Sequence, residues 1–451
     1  MVRKKSLAAV CLTVGAMLLA ACSSGNSSSD TAIGSSNAGG SSSAASPASG
    51  GSSGGGSAAT GKLEVFSWWT SGSENAALQE LFKATQAANP GIDIVNAAVA
   101  GGAGTNAQQV LATRLSAHDI PTTWQTHAGG ALGDYVKQGV VADLSDLYKS
   151  NGWDKAVPKT LLDSLTYDGK IYAVPTGVHR NSVLWWNKSL MAQAGVNLGD
   201  SVSWTQLSDA AKALKAKGIT PLCLGDQDVW TAATLLEGML VGELGAQEFN
   251  GLLDGSAKWS DSKVTDVVKH FDEALTWANA DHKALDWTGG VAGLANGKCA
   301  MNVMGDWAYG ELIVKNKKVD GTDFGYSILG DPNTFITVTD VFVVGKGSKN
   351  PDAGMAWAKA IMDPKTQTAF SKQKGSSPAR TDADTSELGA YQQTAAKTLA
   401  NGTLVPSLIQ GQANIDASIG QAFSDGVTLL EGNHDASKFA ASMDAAVAAA
   451  S

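Results

Sequence analysis

Leu63-Glu64-Val65-Phe66-Ser67-Trp68-Trp69 reads as a β-strand, and the pattern that follows it decides the fold. Ala77, Leu78, Leu81 and Phe82 recur at helical spacing and predict a helix from about Glu74 to Ala88, stopped at Asn89-Pro90-Gly91. Ile92–Val95 is a second strand. A helix over Thr105–Ala117 carries Val110, Leu111 and Leu115 on one face, and Thr122–Thr126 is a third strand. Strands alternating with helices predict βαβ units and a parallel sheet. The pattern restarts with a strand at Asn181–Trp186 and a helix at Lys188–Ala194. Ser203 can cap a helix that runs to Lys217 and closes at Gly218, before a strand at Ile219–Leu224. Helices are expected around Trp230–Leu240 and Lys263–Asn279, strands at Ala300–Met304 and Phe335–Val344, and a helix at Asp352–Met362 ended by Asp363-Pro364. From Ala413 the tail reads as mostly helical, with an Ala-rich helix from about Ser437. The chain thus holds two α/β halves without a sequence repeat between them.

The composition narrows the function. The chain has 451 residues, a formal net charge of −9 and no basic block, so nucleic acid, which needs clustered Lys and Arg, is a poor partner. Hydrophobic residues make up 43 %, enough for a sizeable core. Four Cys are too few for a disulfide framework. Trp is in excess, with 13 against 10 Phe and 7 Tyr. Length alone suggests about three domains, but the N-terminus reduces that.

Residues 1–21 read as a secretory signal: Arg3, Lys4 and Lys5, then an uncharged run from Ser6 to Ala21. Leu19-Ala20-Ala21-Cys22 resembles the lipobox of bacterial lipoproteins, which implies a lipid on the Cys22 thiol and cleavage before it. Removing the three cations takes the net charge from −9 to −12. An anionic membrane surface would not hold such a chain, so the lipid must, and two or more acyl chains suffice. Residues 22–60 then comprise Cys22 and a stretch of almost only Ser, Gly, Ala and Asn, with too little apolar surface to fold. Such a linker spans about 34 Å root-mean-square. Residues 61–451 remain as one body.

Several stretches in this body carry a family likeness: Lys62–Trp69 (KLEVFSWW), Gly101–Arg114 (GGAGTNAQQVLATR), Gln125–Gly129 (QTHAG), Tyr172–Asn187 (YAVPTGVHRNSVLWWN), Gly297–Trp307 (GKCAMNVMGDW) and Lys374–Arg380 (KGSSPAR). The chain resembles the extracellular solute-binding lipoproteins of ABC importers, in the carbohydrate-binding group, nearest to the bacterial glucose/mannose-type sugar-binding proteins. The resemblance implies an α/β, two-lobed periplasmic-binding-protein-like fold, each lobe a mainly parallel sheet flanked by helices. Residues 61–175 plus 331–372 would form the first lobe and 176–330 plus 373–451 the second. Hinge crossings would fall at Ala173-Val174-Pro175 and Ile328-Leu329-Gly330. The implied function is uptake of a mono- or oligosaccharide in the cleft between lobes, closure, and delivery to the transmembrane subunits of an ABC permease. The implied protein is a monomer, lipid-anchored outside the cytoplasmic membrane, without cofactor, metal or ATP site of its own.

A sugar site wants aromatic platforms for C–H faces and a rim of polar groups for hydroxyls. Trp68 and Trp69 end the first strand, where ligand crevices sit in open α/β sheets. Alternation along a strand sends neighbours to opposite faces, so one of the pair can be core. The resemblance adds Glu74, Gln125 and His127, then His179 with either Asn181 or Ser182, beside Arg180, which binds or makes a structural ion pair. It adds Asp306 as the main hydroxyl acceptor, Trp307 as platform or packing, Trp230 and Trp287 as platforms, and Lys374 as a donor. Gln410 stands where close relatives carry His. Asp226 and Asp228 are further rim candidates. Cys223 and Cys299 either pair or remain buried thiols in an oxidising compartment. A secreted carbohydrate-active enzyme would also combine aromatics with carboxylates, with Asp306 and Glu74 as its one nominable acid pair. A sugar sensor feeding a receptor is the third class.

Overall fold

The computed structural model describes residues 59–101 and 104–450; the signal segment, Cys22 and the linker up to residue 58 lie outside the described residues. The helix after the first strand forms as Gly72–Ala88, and Ala77, Leu78, Leu81 and Phe82 lie on its buried stripe. Ser203 caps Trp204–Ala216 through a reciprocal capping box with Gln206, which satisfies N–H groups that the first helical turn leaves free. Asp363-Pro364 closes one helix, Pro351–Ile361, and opens another, Pro364–Lys374. The Asp363 carboxylate accepts the Thr366 N–H, and Pro364 takes the first helical position, where a missing N–H costs nothing.

Two larger sheets organise the described residues. The six-stranded sheet runs Thr403–Pro406, Thr334–Val344, Thr123–His127, Gly61–Phe66, Ile92–Asn96, with Ala173–Arg180 also paired to Thr334–Val344. The five-stranded sheet runs Ser201–Val202, Phe324–Leu329, Val183–Asn187, Cys299–Met304, Thr220–Leu222. Gly61–Phe66 is parallel to both Ile92–Asn96 and Thr123–His127, as βαβ units require. The first sheet is mainly parallel, in three of its five strand pairings, and the second is evenly mixed. Thr334–Val344 is antiparallel to Thr123–His127 and Ala173–Arg180, and Val183–Asn187 is antiparallel to Cys299–Met304 and Phe324–Leu329. These strands flank the places where the chain changes sheets. A strand delivered by such a crossing is not bound to the parallel sense of a βαβ unit.

The chain leaves the first sheet later than Ala173-Val174-Pro175. Ala173–Arg180 is buried throughout and stays paired with Thr334–Val344 as far as Arg180. The change of sheet occurs at Asn181-Ser182, just before Val183–Asn187. The chain returns between Leu329, paired with Val202, and Thr334, paired with Thr403. Thr403–Pro406 therefore extends the first sheet, although residues 373–451 were expected wholly in the second lobe. It covers residues 334–337 of the long strand, a stretch that Thr123–His127 leaves unpaired.

The Trp excess divides between two uses. Trp69, Trp124, Trp185, Trp259 and Trp357 are fully buried in packing. Trp357 meets the Phe342 ring at 5.2 Å and the Phe82 ring at 5.8 Å, and Trp259 meets Phe423 at 5.8 Å. The other use appears at the cleft.

Cys223, just past the Thr220–Leu222 strand, is joined in a disulfide to Cys299 at the start of the neighbouring parallel strand, with Cα atoms 5.3 Å apart and a sequence separation of 76. The crosslink constrains a long loop of the unfolded chain. Reduction, or the Cys223→Ser/Cys299→Ser double variant, should lower stability by about 2–4 kcal/mol. Urea unfolding with and without reductant checks this; coincident midpoints would show that the bond contributes nothing.

Candidate functional site

One narrow cleft gathers residues from the segments that flank both sheets. Trp68 follows the Gly61–Phe66 strand, His127 ends Thr123–His127, and Val338 and Asp340 lie on Thr334–Val344. Trp230, Trp287 and Trp307 are each the first residue of a helix: Trp230–Leu244, Trp287–Ala295 and Trp307–Gly310. Glu74 sits in the first turn of Gly72–Ala88, Lys374 ends Pro364–Lys374, and Gln410 lies in the loop after Thr403–Pro406. Trp68, His127, Glu74, Trp230, Trp287 and Trp307 thus sit at strand ends and helix starts, where open α/β sheets present ligand sites. Gly375 makes the position of Lys374 feasible: its φ is +95°, and a Cβ there would lie 2.2 Å from the Asp306 carbonyl oxygen.

The rim is electrostatically ordered. Lys374 Nζ donates to Glu74 Oε1 at 2.5 Å, joining residues 300 apart in sequence. The ammonium also lies 5.2 Å from the Trp69 ring centre and 5.8 Å from that of Trp307. Burial raises the Glu74 pKa against the pull of Lys374, and Asp340 and Glu311 add to the rise. Asp340 is nearly buried. Its Oδ1 accepts from Gln125 Nε2 at 2.9 Å and lies 3.5 Å from His127 Nε2, and its Oδ2 lies 3.3 Å from His179 Nε2. Burial alone would raise its pKa; the two histidines and Lys374 hold it well below the usual carboxylate range. The His127 ring meets Trp68 edge-on at 5.4 Å, and Trp230 and Trp307 lie 6.1 Å apart. The cleft thus presents indole surfaces, an ionised acceptor, an ion pair and an amide.

Trp68, Glu74, His127, Trp230, Trp287, Trp307, Lys374 and Gln410 are brought together as expected from the sequence. Six other expected residues do not line the cleft. Trp69 turns into the core against Phe342 and Phe370. Gln125 stands behind Asp340, its Oε1 accepting the Trp68 N–H at 3.3 Å. Asn181 bonds Glu237, and Ser182 Oγ donates to the Thr234 carbonyl at 3.0 Å. His179 and Asp306 are both fully buried and bonded to each other. Asp306, expected as the main hydroxyl acceptor, here has its oxygens on His179, the Arg180 N–H and the Tyr391 hydroxyl and stands away from the cleft lining. Arg180 donates to the Pro332 and Thr334 carbonyls, and Asp226 is buried against His282 and Lys283.

Sequence reasoning missed Asp340 and Val338. A signal for Asp340 was present: one carboxylate in the apolar run Val338-Thr339-Asp340-Val341-Phe342-Val343-Val344. A charge buried in a strand must be paired or functional.

Two α/β lobes with a polar-aromatic cleft between them define a ligand-binding protein of the hinged, two-lobed class. The family model described as bacterial extracellular solute-binding protein matches residues 69–368, and the chain belongs to that family. It is 35 % identical over 381 residues to a probable sugar-binding periplasmic protein of Rhizobium meliloti (strain 1021), covering 82 % of this chain and 89 % of that one. It is 31 % identical over 381 residues to an uncharacterized ABC transporter extracellular-binding protein of Pyrococcus horikoshii, covering 84 % and 86 %. Its fold is similar to that of a chitin oligosaccharide binding protein, with a TM-score of 0.74 at 22 % identity, covering 87 % of this chain and 99 % of that one.

Proposed function

We propose that this chain is the sugar-binding component of an ABC importer. It takes a small neutral saccharide into the interlobe cleft and passes it to a membrane permease without changing it. The observation that carries the reading is the convergence of Trp68, Trp230, Trp287 and Trp307 with Asp340, Glu74, Lys374, His127 and Gln410 around one cleft. Indole faces take the apolar side of a sugar ring. The ionised Asp340 accepts from hydroxyls, and charge-assisted bonds of this kind are the strong ones. Lys374 and Glu74 supply a donor and an acceptor that are already paired, so little desolvation is left uncompensated when a hydroxyl inserts beside them. Net charge at the rim favours a neutral sugar over a sugar acid or phosphate. The relatives named as sugar-binding and ABC extracellular-binding proteins support the same reading.

Thermal shift and Trp fluorescence over D-glucose, D-mannose, D-xylose, raffinose and chitobiose, with recovery of the sugar, test this. At least one should raise the melting temperature, change the emission and be recovered intact. No response across the panel would overturn the reading, and hydrolysis would move the chain to the carbohydrate-active enzymes. We also propose attachment through lipid on Cys22, with the protein acting as a monomer. Cys22→Ser should then appear in the culture medium, and its retention on membranes would sink the tether.

A further inference from the structure

Behind Asp340 lies a run of buried polar groups that no cleft-bound ligand would touch. His179 and Asp306 have no exposed side-chain surface, and His179 Nδ1 bonds Asp306 Oδ1. Asp306 Oδ2 accepts the Arg180 N–H at 3.0 Å and the Tyr391 hydroxyl at 3.4 Å. On the far side of the ring, Nε2 lies 3.3 Å from Asp340 Oδ2. The imidazole therefore sits between two carboxylates. Ionised carboxylates only accept, and a neutral imidazole donates from one nitrogen while presenting a lone pair at the other. Only the imidazolium faces both acids favourably. We propose that His179 is a standing imidazolium anchored by Asp306, and that the pair positions the Asp340 carboxylate toward the ligand and keeps it ionised. This rests on the reading of Asp340 as a hydroxyl acceptor.

The surrounding charges agree with this assignment. Burial opposes a charged His179, but Asp306 and Asp340 outweigh it, and Lys374 is the cation that works against the proton. The Arg180 guanidinium is turned away to two carbonyls, and Tyr391 donates rather than ionises, its pKa pushed well above that of a free phenol. On the cleft side, His127 shares Asp340 Oδ1, and Glu74 is occupied by Lys374. Trp307 closes the space with its ring 5.5 Å from that of His179. Asp306 and His179 are thus positioning residues that act through Asp340.

The test is ¹⁵N-imidazole NMR of the full chain without sugar. Both His179 nitrogens should carry protons at pH 7, and Asp306→Asn should lower the His179 pKa by at least about one unit. The second readout is the pH profile of sugar affinity, measured with D-glucose and D-xylose. Wild type should hold its affinity between about pH 5 and 8, whereas Asp306→Asn should lose at least about tenfold at the acidic end, as Asp340 takes up a proton. A neutral His179 in the wild type, or an Asp306→Asn variant that titrates as wild type, overturns the proposal. If the variant does not fold, the wild-type spectrum alone decides the charge. If neither sugar binds, the functional reading of Asp340 is what fails, and the spectra still report on His179.

Discussion

Asp340→Ala should weaken sugar binding by at least about 100-fold while leaving the fold intact. Hydrogen bonds to a charged partner contribute about 1.5–3 kcal/mol each, and a carboxylate can serve two hydroxyls. Losing about 3 kcal/mol corresponds to about two decades in Kd. The fold should survive because His179 retains Asp306, so the buried charge that remains is still balanced. His127 loses a partner but lines the cleft, and the space vacated by the Asp340 side chain lets water reach Gln125 behind it. Calorimetric titration with the tightest sugar of the panel measures the loss, and circular dichroism verifies the fold. A Kd within threefold of wild type would remove Asp340 from the site.

The second large effect concerns Glu237, which ties together segments that meet beside the cleft. It lies on Trp230–Leu244 and is fully buried. Its Oε1 accepts the Leu408 N–H at 2.6 Å, and its Oε2 accepts Ser407 Oγ at 2.9 Å and the Asn181 amide. Asn181 marks the first change of sheet, and Ser407 Oγ also accepts the N–H of cleft-lining Gln410 at 3.2 Å. Glu237→Ala leaves these donors unpaired and opens a cavity, at a cost of about 3–5 kcal/mol. Burial pushes the Glu237 pKa from 4.5 to about 7, with Ser407, Leu408 and Asn181 opposing the rise. A carboxyl whose folded pKa is raised binds more protons folded than unfolded. Its contribution is complete below pH 4.5 and is lost as pH rises through about 7. The amount at stake is about 3 kcal/mol. Glu237→Gln should therefore match wild type near pH 5 and exceed its stability at pH 8. Asn181 Oδ1 has no partner, and an amide rotated end for end would present it to a protonated Oε2 or to the Gln amide. Urea unfolding at the two pH values checks both variants. Parallel stability profiles for Gln and wild type, or an Ala cost under about 1 kcal/mol, would contradict the account.

Much of the fold was legible because its signals are local. Gly72–Ala88 shows in its apolar spacing, Trp204–Ala216 in its capping box, and Thr123–His127 in its apolar context. Phe324–Leu329 was not expected as a strand: it reads FGYSIL, without clean alternation, and its partners Val183–Asn187 and Ser201–Val202 lie far away in sequence. The lobe boundaries shifted for the same reason, since Thr403–Pro406 is placed by pairing with a strand formed from residues 334–344. At the site, the residue types were readable and their assignments only partly so. Trp68 and Trp69 are adjacent and chemically identical, yet one faces the cleft and the other the core.

By itself the amino-acid sequence determined the two α/β halves and, through the family resemblance, the Trp and polar residue types from which the cleft is built. Periodicity, capping and composition are set within a few residues of chain. Only the tertiary structure decided that Asp340 and not Asp306 lines the cleft, that Cys223 meets Cys299, and that Lys374 closes on Glu74. Each of those depends on long-range pairing of strands and helices, and a carboxylate's role follows from what surrounds it: Asp306 is enclosed by its own donors, whereas Asp340 keeps one side open to the cleft.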